Sequence, residues 1–264
     1  MAKRIDIKTL DYKLSLDSLL IIINKIKDLT KLDTSVIFRF SNDTLLLYSL
    51  VGNGDIIHAF KSHKLNIKDL FQINKNIIDE TITYKIADAK RFVTSMTVFI
   101  KYMKFQNIDD LVDFKIYYND DFFAEKSLIK NSKSKEITPG QRPNPNQNID
   151  LEDIEYVMDT SLSNYSFNLI KEDFDYIKSK TVIEKDNEVL YLNIKNNNLS
   201  IGETKWLHNI CEIEYEDEDI SFPKKYFKCI NYEKEKEMKI YVTNTYLLIL
   251  GDNTNLLINV EFSL

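Results

Sequence analysis

Three of the four prolines of this chain fall in one stretch, ITPGQRPNPNQNID, which spans residues 137–150 and also holds one of only five glycines. Proline fixes φ and removes a backbone donor, so proline alternating with asparagine and glutamine is incompatible with a helix or sheet interior. The stretch is therefore expected to be a connector between an N-terminal domain, residues 1–136, and a C-terminal domain, residues 151–264. Each half has the size of an ordinary small domain.

The two halves resemble each other. In the first, the helical pattern SLDSLLIIINKIKDL is followed by the β-rich runs SVIFRF and TLLLYSL. In the second, KEDFDYIKSK is followed by EVLYLNI and NLSIGE. Further on, ITYKIADAKRFVTSMTVFIKYM leads into FKIYYNDDFFAEKSLI, as ISFPKKYFKCI leads into MKIYVTNTYLLILGD. Placing Lys115 on Lys239 aligns KIYYNDDFF with KIYVTNTYL without a gap, so that Ile116, Tyr117 and Phe122 meet Ile240, Tyr241 and Tyr246. The strand runs alternate in hydrophobicity, which predicts antiparallel sheets with one face packed on helices. The expected fold class is α+β, with two similar domains that each carry two helices on one face of an antiparallel sheet. The four helices are expected near Leu16 to Leu29, Ala87 to Lys104, Lys171 to Lys180 and Pro223 to Asn231, with Pro223 at a helix start where its missing donor costs little.

Hydrophobic residues make up 44% of the chain and charged residues 29%, a composition that folds rather than staying disordered. No run approaches the roughly eighteen uncharged apolar residues of a membrane span, and no apolar stretch of signal-peptide length follows the N-terminal basic residues. A cytoplasmic location is expected, with Cys211 and Cys229 as reduced thiols.

Charge is segregated. The net charge is −6, yet the four expected helices, with Lys31 just past the first, hold thirteen basic residues against six acids. The run EIEYEDED, residues 212–219, contains six acids and reads as a solvated loop. In the fourth helix Phe222, Tyr226, Phe227 and Ile230 make an apolar stripe, leaving Lys224, Lys225 and Lys228 on another face. In the second, Phe92, Val93, Met96, Phe99 and Ile100 face the sheet and Lys90, Arg91, Thr94 and Lys101 turn away; in the third, Phe174 and Ile177 lie inside with Lys178 and Lys180 outside. Lysines so placed suit a phosphate backbone, because they neutralise charge and release counterions without reading bases. For any single helix a lysine-rich solvated face is the alternative; four helices biased alike, with an acidic opposite face, favour a function.

The residues offer little chemistry. His58, His63, His208 and Cys211 do not make the converging set that zinc needs, and no metal or cofactor is expected. No GxxxxGK[ST], GxGxxG or GxSxG motif occurs, and nothing requires an enzyme.

Two repeated α+β domains, a proline-rich connector and a second half reading SFNLIKEDFDYIKS, EVLYLNIKNNNLSIGE, ISFPKKYFKCI and MKIYVTNTYLLIL resemble a DNA polymerase sliding clamp. The likeness is to the two-domain type of tailed bacteriophages, related to the eukaryotic and archaeal clamps. It implies a head-to-tail homotrimeric ring that encircles double-stranded DNA without sequence preference, is loaded by a clamp loader and tethers the replicative polymerase. Lys25, Lys27, Lys90, Arg91, Lys101, Lys178, Lys180, Lys224, Lys225 and Lys228 would then face the channel. The resemblance also implies that the edge near Trp206 to Tyr215 pairs with a neighbour's strand near Phe122 to Lys130, and that partners dock beside the connector and the tail NVEFSL. The first half departs from the pattern by the insertion SHKLNIKDLFQINKNIIDETI. Two alternatives keep the duplicated fold: a DNA-binding processivity factor that closes no ring, and a viral structural or adaptor protein that never meets DNA.

Overall fold

The computed structural model describes residues 7–53, 56–73, 81–107, 111–132, 134–141, 165–170, 189–195, 198–201, 205–208, 218–223, 226, 229–230, 234–242, 245–259 and 261–262. The chain forms two compact units, the first from Met1–Ser49 with Ser62–Asn144, the second from Leu50–Lys61 with Pro145–Leu264.

The first unit runs β1 (Lys8–Leu14), α1 (Leu16–Leu29), β2 (Val36–Phe40), β3 (Thr44–Asn53), β4 (Ile56–Asn66), α2 (Ile67–Leu70), β5 (Phe71–Ile73), β6 (Ile82–Ile86), α3 (Ala89–Phe105), β7 (Val112–Tyr118), β8 (Ala124–Lys130) and β9 (Lys135–Pro139), with the far ends of β3 and β4 counted in the second unit. Helix α1 starts where the Ser15 hydroxyl accepts from the Ser18 amide at 3.0 Å, and it ends where the Thr30 hydroxyl donates to the Lys27 carbonyl at 2.8 Å. Between these caps Leu19, Ile22, Ile23, Ile26 and Leu29 recur at helical spacing and are buried. Helix α3 begins two residues later than expected, because the Asp88 carboxylate accepts from the Arg91 amide at 2.9 Å and so caps the helix at Asp88. Its buried stripe is Ala89, Phe92, Met96, Phe99, Ile100 and Met103.

One sheet has the order β5-β1-β7-β8-β9, and β6, β2, β3 and β4 pair in that order in another. Both helices bury their apolar faces in one core with the inward residues of these strands, including Leu10, Tyr12, Phe38, Phe40, Tyr84, Phe114 and Ile116. The insertion SHKLNIKDLFQINKNIIDETI contributes the end of β4, α2 and β5, and β5 extends the sheet by pairing with β1 from Tyr12↔Ile73 to Leu14↔Phe71.

The second unit runs β10 (Tyr165–Ile170), β11 (Val189–Lys195), β12 (Asn198–Ile201), β13 (Lys205–His208), β14 (Glu218–Pro223), β15 (Glu237–Val242), β16 (Tyr246–Gly251), β17 (Asn255–Asn259) and β18 (Glu261–Phe262). Its strands repeat the order of the first. Strands β10-β15-β16-β17 follow β1-β7-β8-β9, and β14-β11-β12-β13 follow β6-β2-β3-β4. Ile116 pairs with Leu10 as Ile240 pairs with Phe167, so the alignment of Ile116 and Tyr117 with Ile240 and Tyr241 holds in three dimensions. Beyond them it slips. Ile116 pairs across its hairpin with Ser127 but Ile240 with Ile249, so the first hairpin is two residues longer, absorbed by a bulge at Tyr117/Tyr118 and by Phe122 at φ 59°. Phe122 therefore lies in the turn while Tyr246 opens β16, and the two are not equivalent.

Three expectations are corrected here. Pro223 does not start a helix; it closes β14 opposite Val189, with Phe222 opposite Leu190 in the same strand. An apolar alternation ending in proline serves an outer strand end as well as a helix start, because neither needs the missing N–H. Of the expected fourth helix, Tyr226 and Cys229 each have helical backbone and are buried with Ile230, while Lys224, Lys225, Phe227 and Lys228 lie outside the described residues. Glu218 and Asp219, expected in an acidic loop, begin β14. Ile137, Thr138 and Pro139, expected in the connector, belong to β9, where proline is tolerated at the end of an edge strand. The expected third helix, Lys171 to Lys180, lies outside the described residues.

Buried polar contacts tie β6 to β8 and β9 and close the turn between β16 and β17. Tyr84 of β6, fully buried, donates its hydroxyl to the Thr138 carbonyl of β9 at 3.1 Å and lies 2.8 Å from the Ser127 hydroxyl of β8. Burial raises its phenol well above the usual tyrosine range. Tyr84→Phe removes this tie and is expected to cost about 1–2 kcal/mol, read as a lower urea midpoint with faster amide exchange in β9. In the second unit the buried Glu235 carboxylate accepts from the Thr254 hydroxyl at 2.8 Å and the Asn253 amide at 3.0 Å, closing the β16–β17 turn. Gly251 is needed beside it, since a Cβ there would meet Glu235 Oε2 at 2.6 Å.

Candidate nucleic-acid interface

The positive charge of the first unit's helix pair sits on one helix. Helix α1 balances Lys25 and Lys27 against Asp17 and Asp28, while α3 carries Lys90, Arg91, Lys101 and Lys104 with no acid. Lys27, Lys90, Arg91 and Lys101 are exposed and Lys25 is half-buried. Lys31 is held by Asp28 at 3.1 Å, and Asp28 also lies 2.9 Å from Nε2 of the buried His63 on β4. That carboxylate ties the end of α1 to the sheet rather than to Lys25 or Lys27. The two helices pack against each other, so their outward residues share one surface.

That surface is not purely basic. Leu20 and Ile21 on α1 and Val98, Tyr102 and Phe105 on α3 are exposed, Val98 at 62% and Phe105 at 82%. Residues 91, 94, 98, 101, 102 and 105 form one outward stripe of α3, in which arginine, threonine and lysine alternate with large apolar groups. Lys178, Lys180, Lys224, Lys225 and Lys228 lie outside the described residues.

The expected acidic opposite face is absent from the β5-β1-β7-β8-β9 sheet. The solvent face of that sheet carries Lys13, Lys115, Lys126, Lys130 and Lys135 against Asp11 and Asp113. Lys115 is bound to Asp11 and Lys130 to Asp113, and Lys126 rides over the Tyr117 ring at 4.9 Å. Net charge over residues in helices and outside them does not resolve which face a strand lysine takes, because that depends on register.

Sequence reasoning passed over Lys61. Its side chain is fully buried, and its Nζ donates to the Cys229 carbonyl at 2.5 Å. Lys61 lies opposite Leu256 of β17, so within the second unit the backbone at Cys229 is tied to this strand. A lysine in an alternating strand gives no sign of such a partner 168 residues away.

The edges are as informative as the helices. Strand β8, expected to be an edge, is internal, and β9 occupies the edge in its place. Strand β13 ends the β13-β12-β11-β14-β18 sheet, as expected for the region beginning near Trp206; residues 209–217 lie outside the described residues. Among the described residues there is no group of three or more His, Cys, Asp or Glu side chains able to hold a metal ion, and no helix is long and apolar enough to cross a membrane.

This duplicated arrangement matches solved structures along nearly its whole length. A putative DNA polymerase III beta subunit from Eubacterium rectale superposes with a TM-score of 0.59 at 16% identity, over 99% of this chain and 67% of that one. The fold is that of the DNA polymerase sliding clamps. The Helicobacter pylori beta clamp bound to a DNA ligase peptide gives 0.61 at 13% identity over 96% of this chain and 66% of that one, and the Pseudomonas aeruginosa sliding clamp gives 0.62 at 11% over the same shares. The chain spans about two thirds of the length of these clamps. No family model and no curated protein matches the sequence.

Proposed function

We propose that the protein is a sliding clamp: a homotrimeric ring, loaded by a clamp loader, that encircles duplex DNA in the cytoplasm and tethers a replicative polymerase. The observation that carries this reading is the duplicated clamp fold, in which β9 and β13 are terminal strands of their sheets among the described residues. Strand β9 repeats β17, and β13 repeats β4. Within the second unit β17 pairs with residues 59–61 of β4, from Leu256↔Lys61 to Ile258↔Ala59. The same kind of pairing between β9 of one copy and β13 of the next would join two of the terminal strands, and a heterologous contact of this sort gives a ring when its rotation closes.

In the ring, Lys25, Lys27, Lys90, Arg91 and Lys101, with Lys178, Lys180, Lys224, Lys225 and Lys228 from the second half, would face DNA. Encirclement supplies retention, so each phosphate contact can be weak and independent of sequence, which permits sliding. The clamp makes and breaks no bond itself. Sedimentation over a concentration series tests the assembly. A species near three times 31.1 kDa is expected, and a monomer throughout the range excludes the ring.

The exposed Leu20, Ile21, Val98, Tyr102 and Phe105 favour a second reading, an adaptor whose helix face docks on protein, since clustered exposed apolar groups mark such contacts. On that reading Val98→Ser with Phe105→Ser abolishes partner capture and charge reversal on α3 leaves it intact.

A further inference from the structure

We propose, on the basis of the clamp reading above, that the outer face of α3 also takes single-stranded DNA: Lys90, Lys101 and Lys104 meet its phosphates while Tyr102 and Phe105, in the adjoining stripe, stack on unpaired bases. Successive helix residues are turned by about 100°, which sets the exposed positions of α3 in two adjacent lines. One line is Lys90, Thr94, Thr97, Lys101 and Lys104, polar throughout and about 21 Å long at the helical rise per residue. Thr94 and Thr97 turn their hydroxyls back on the Lys90 and Val93 carbonyls at 2.9 and 2.7 Å, so the charge of this line belongs to its lysines. The other line holds Val98, Tyr102 and Phe105. Arg91 heads it, away from the aromatic end, where it lines a cleft with Asp88 and Glu136.

Neither line is committed within the protein. Among the described residues no carboxylate pairs with Lys90, Lys101 or Lys104, and neither Tyr102 nor Phe105 touches another ring. Phe105 and Val98 are the most exposed large apolar residues described. The lysines alone fit any phosphate backbone, double or single. The rings distinguish the two. In a duplex the base faces are stacked on one another and a side chain outside meets phosphate and sugar, where an exposed phenyl ring gains little. A single strand presents base faces beside its phosphates, and aromatic groups next to cations are the composition that holds it without regard to sequence. Tyr102 and Phe105 stand three residues apart on one helix face, so their rings are neighbours and can take successive bases. A protein partner would use the same apolar groups, yet three unpaired lysines and no acid on the helix complement phosphate. The face then holds the protein on unpaired stretches as well as on duplex.

Fluorescence anisotropy of a labelled oligothymidylate of about 20 nucleotides, and of a blunt-ended duplex of the same length, measures both modes on the full chain. The decisive variant is Tyr102→Leu with Phe105→Leu, which keeps apolar bulk and helix preference and removes the π faces. It is expected to weaken oligothymidylate binding at least about tenfold and to leave duplex binding within about twofold. The ratio of wild type to variant should persist from low to high salt, since stacking releases no counterions. Because duplex binding needs the same helix, its retention excludes misfolding as the cause. Phe105→Leu alone, at the most exposed of these positions, repeats the test with no packing to disturb. Exchange of the rings, Tyr102→Phe with Phe105→Tyr, is expected to bind both probes like the wild type. Unchanged oligothymidylate affinity in the leucine variants, or equal losses with both probes in both of them, overturns the stacking and leaves α3 as a face for duplex. Leucine variants that keep oligothymidylate, while Val98→Ser with Phe105→Ser loses a protein partner, make the stripe a protein-docking surface and overturn the inference too. A wild type that binds neither probe overturns α3 as a DNA face, and this inference with it.

Discussion

With α3 facing DNA as proposed, Lys90→Glu, Arg91→Glu and Lys101→Glu combined in one chain are expected to abolish the salt-sensitive equilibrium binding of the unloaded protein to duplex DNA. Helix α3 holds these exposed cations with no acid in the helix, so reversal would turn the surface proposed to meet phosphate into one that repels it. In the wild type the logarithm of affinity should fall with the logarithm of salt, and the slope should drop by about one for each phosphate contact removed. A matched control separates the helix face from mere net charge. Lys13→Glu, Lys126→Glu and Lys135→Glu make the same change of charge on the solvent face of the β1-β7-β8-β9 sheet, all at exposed positions. That triple is expected to leave this binding within about threefold of wild type, the residue of long-range screening. Equal losses in the two triples would show that the protein responds to total charge and that α3 is not the contacting face.

Phe38→Ala is expected to destabilise the first unit by about 3–5 kcal/mol, the range for deleting a buried aromatic ring. Phe38 is fully buried on β2, paired with Leu47 on one side and Tyr84 on the other. Its ring stacks on Phe40 at 6.1 Å and tilts against Tyr84 at 5.5 Å. The cavity would open between the two strands that neighbour β2 and the helices above them, and Tyr84 would lose the packing that aims its hydroxyl at β8 and β9. Urea unfolding followed by circular dichroism measures the loss. Ile137→Ala, at a 55% exposed position, is the companion variant and should move the midpoint little in the isolated chain. A small effect at Phe38 would mean that the core around β2 collapses into the space, contrary to its dense aromatic packing.

Helix α1 shows how much of the fold is legible in the residues. Its bounds follow from a serine cap, five apolar residues at helical spacing and a threonine that turns its hydroxyl back on the helix, all local interactions. Strands β7 and β15 were equally readable, because alternation and a shared KIY motif mark them. Pro223 was not. A short apolar alternation ending in proline fits a strand end and a helix start alike, and the choice was made by β11, which supplies partners from Val189 to Ile194. The same limit applies to Ile137–Pro139, whose composition is that of a loop and whose conformation is set by pairing with Lys126 to Leu128.

The candidate interface divides along the same line. Duplication, the alternation of an antiparallel α+β protein and the gathering of cations in the expected helices are all legible in the residues, since they depend on order, period and count. That Asp28 is occupied by His63 and Lys31 is a product of long-range packing. Only the tertiary structure put lysines on the sheet's solvent face, buried Lys61 against the Cys229 carbonyl, and made β9 rather than β8 the open edge. Each of these turns on which residues meet across long stretches of chain. Strand register, sheet order and ion pairing are set by packing between segments, and periodicity within a segment carries no record of its partner.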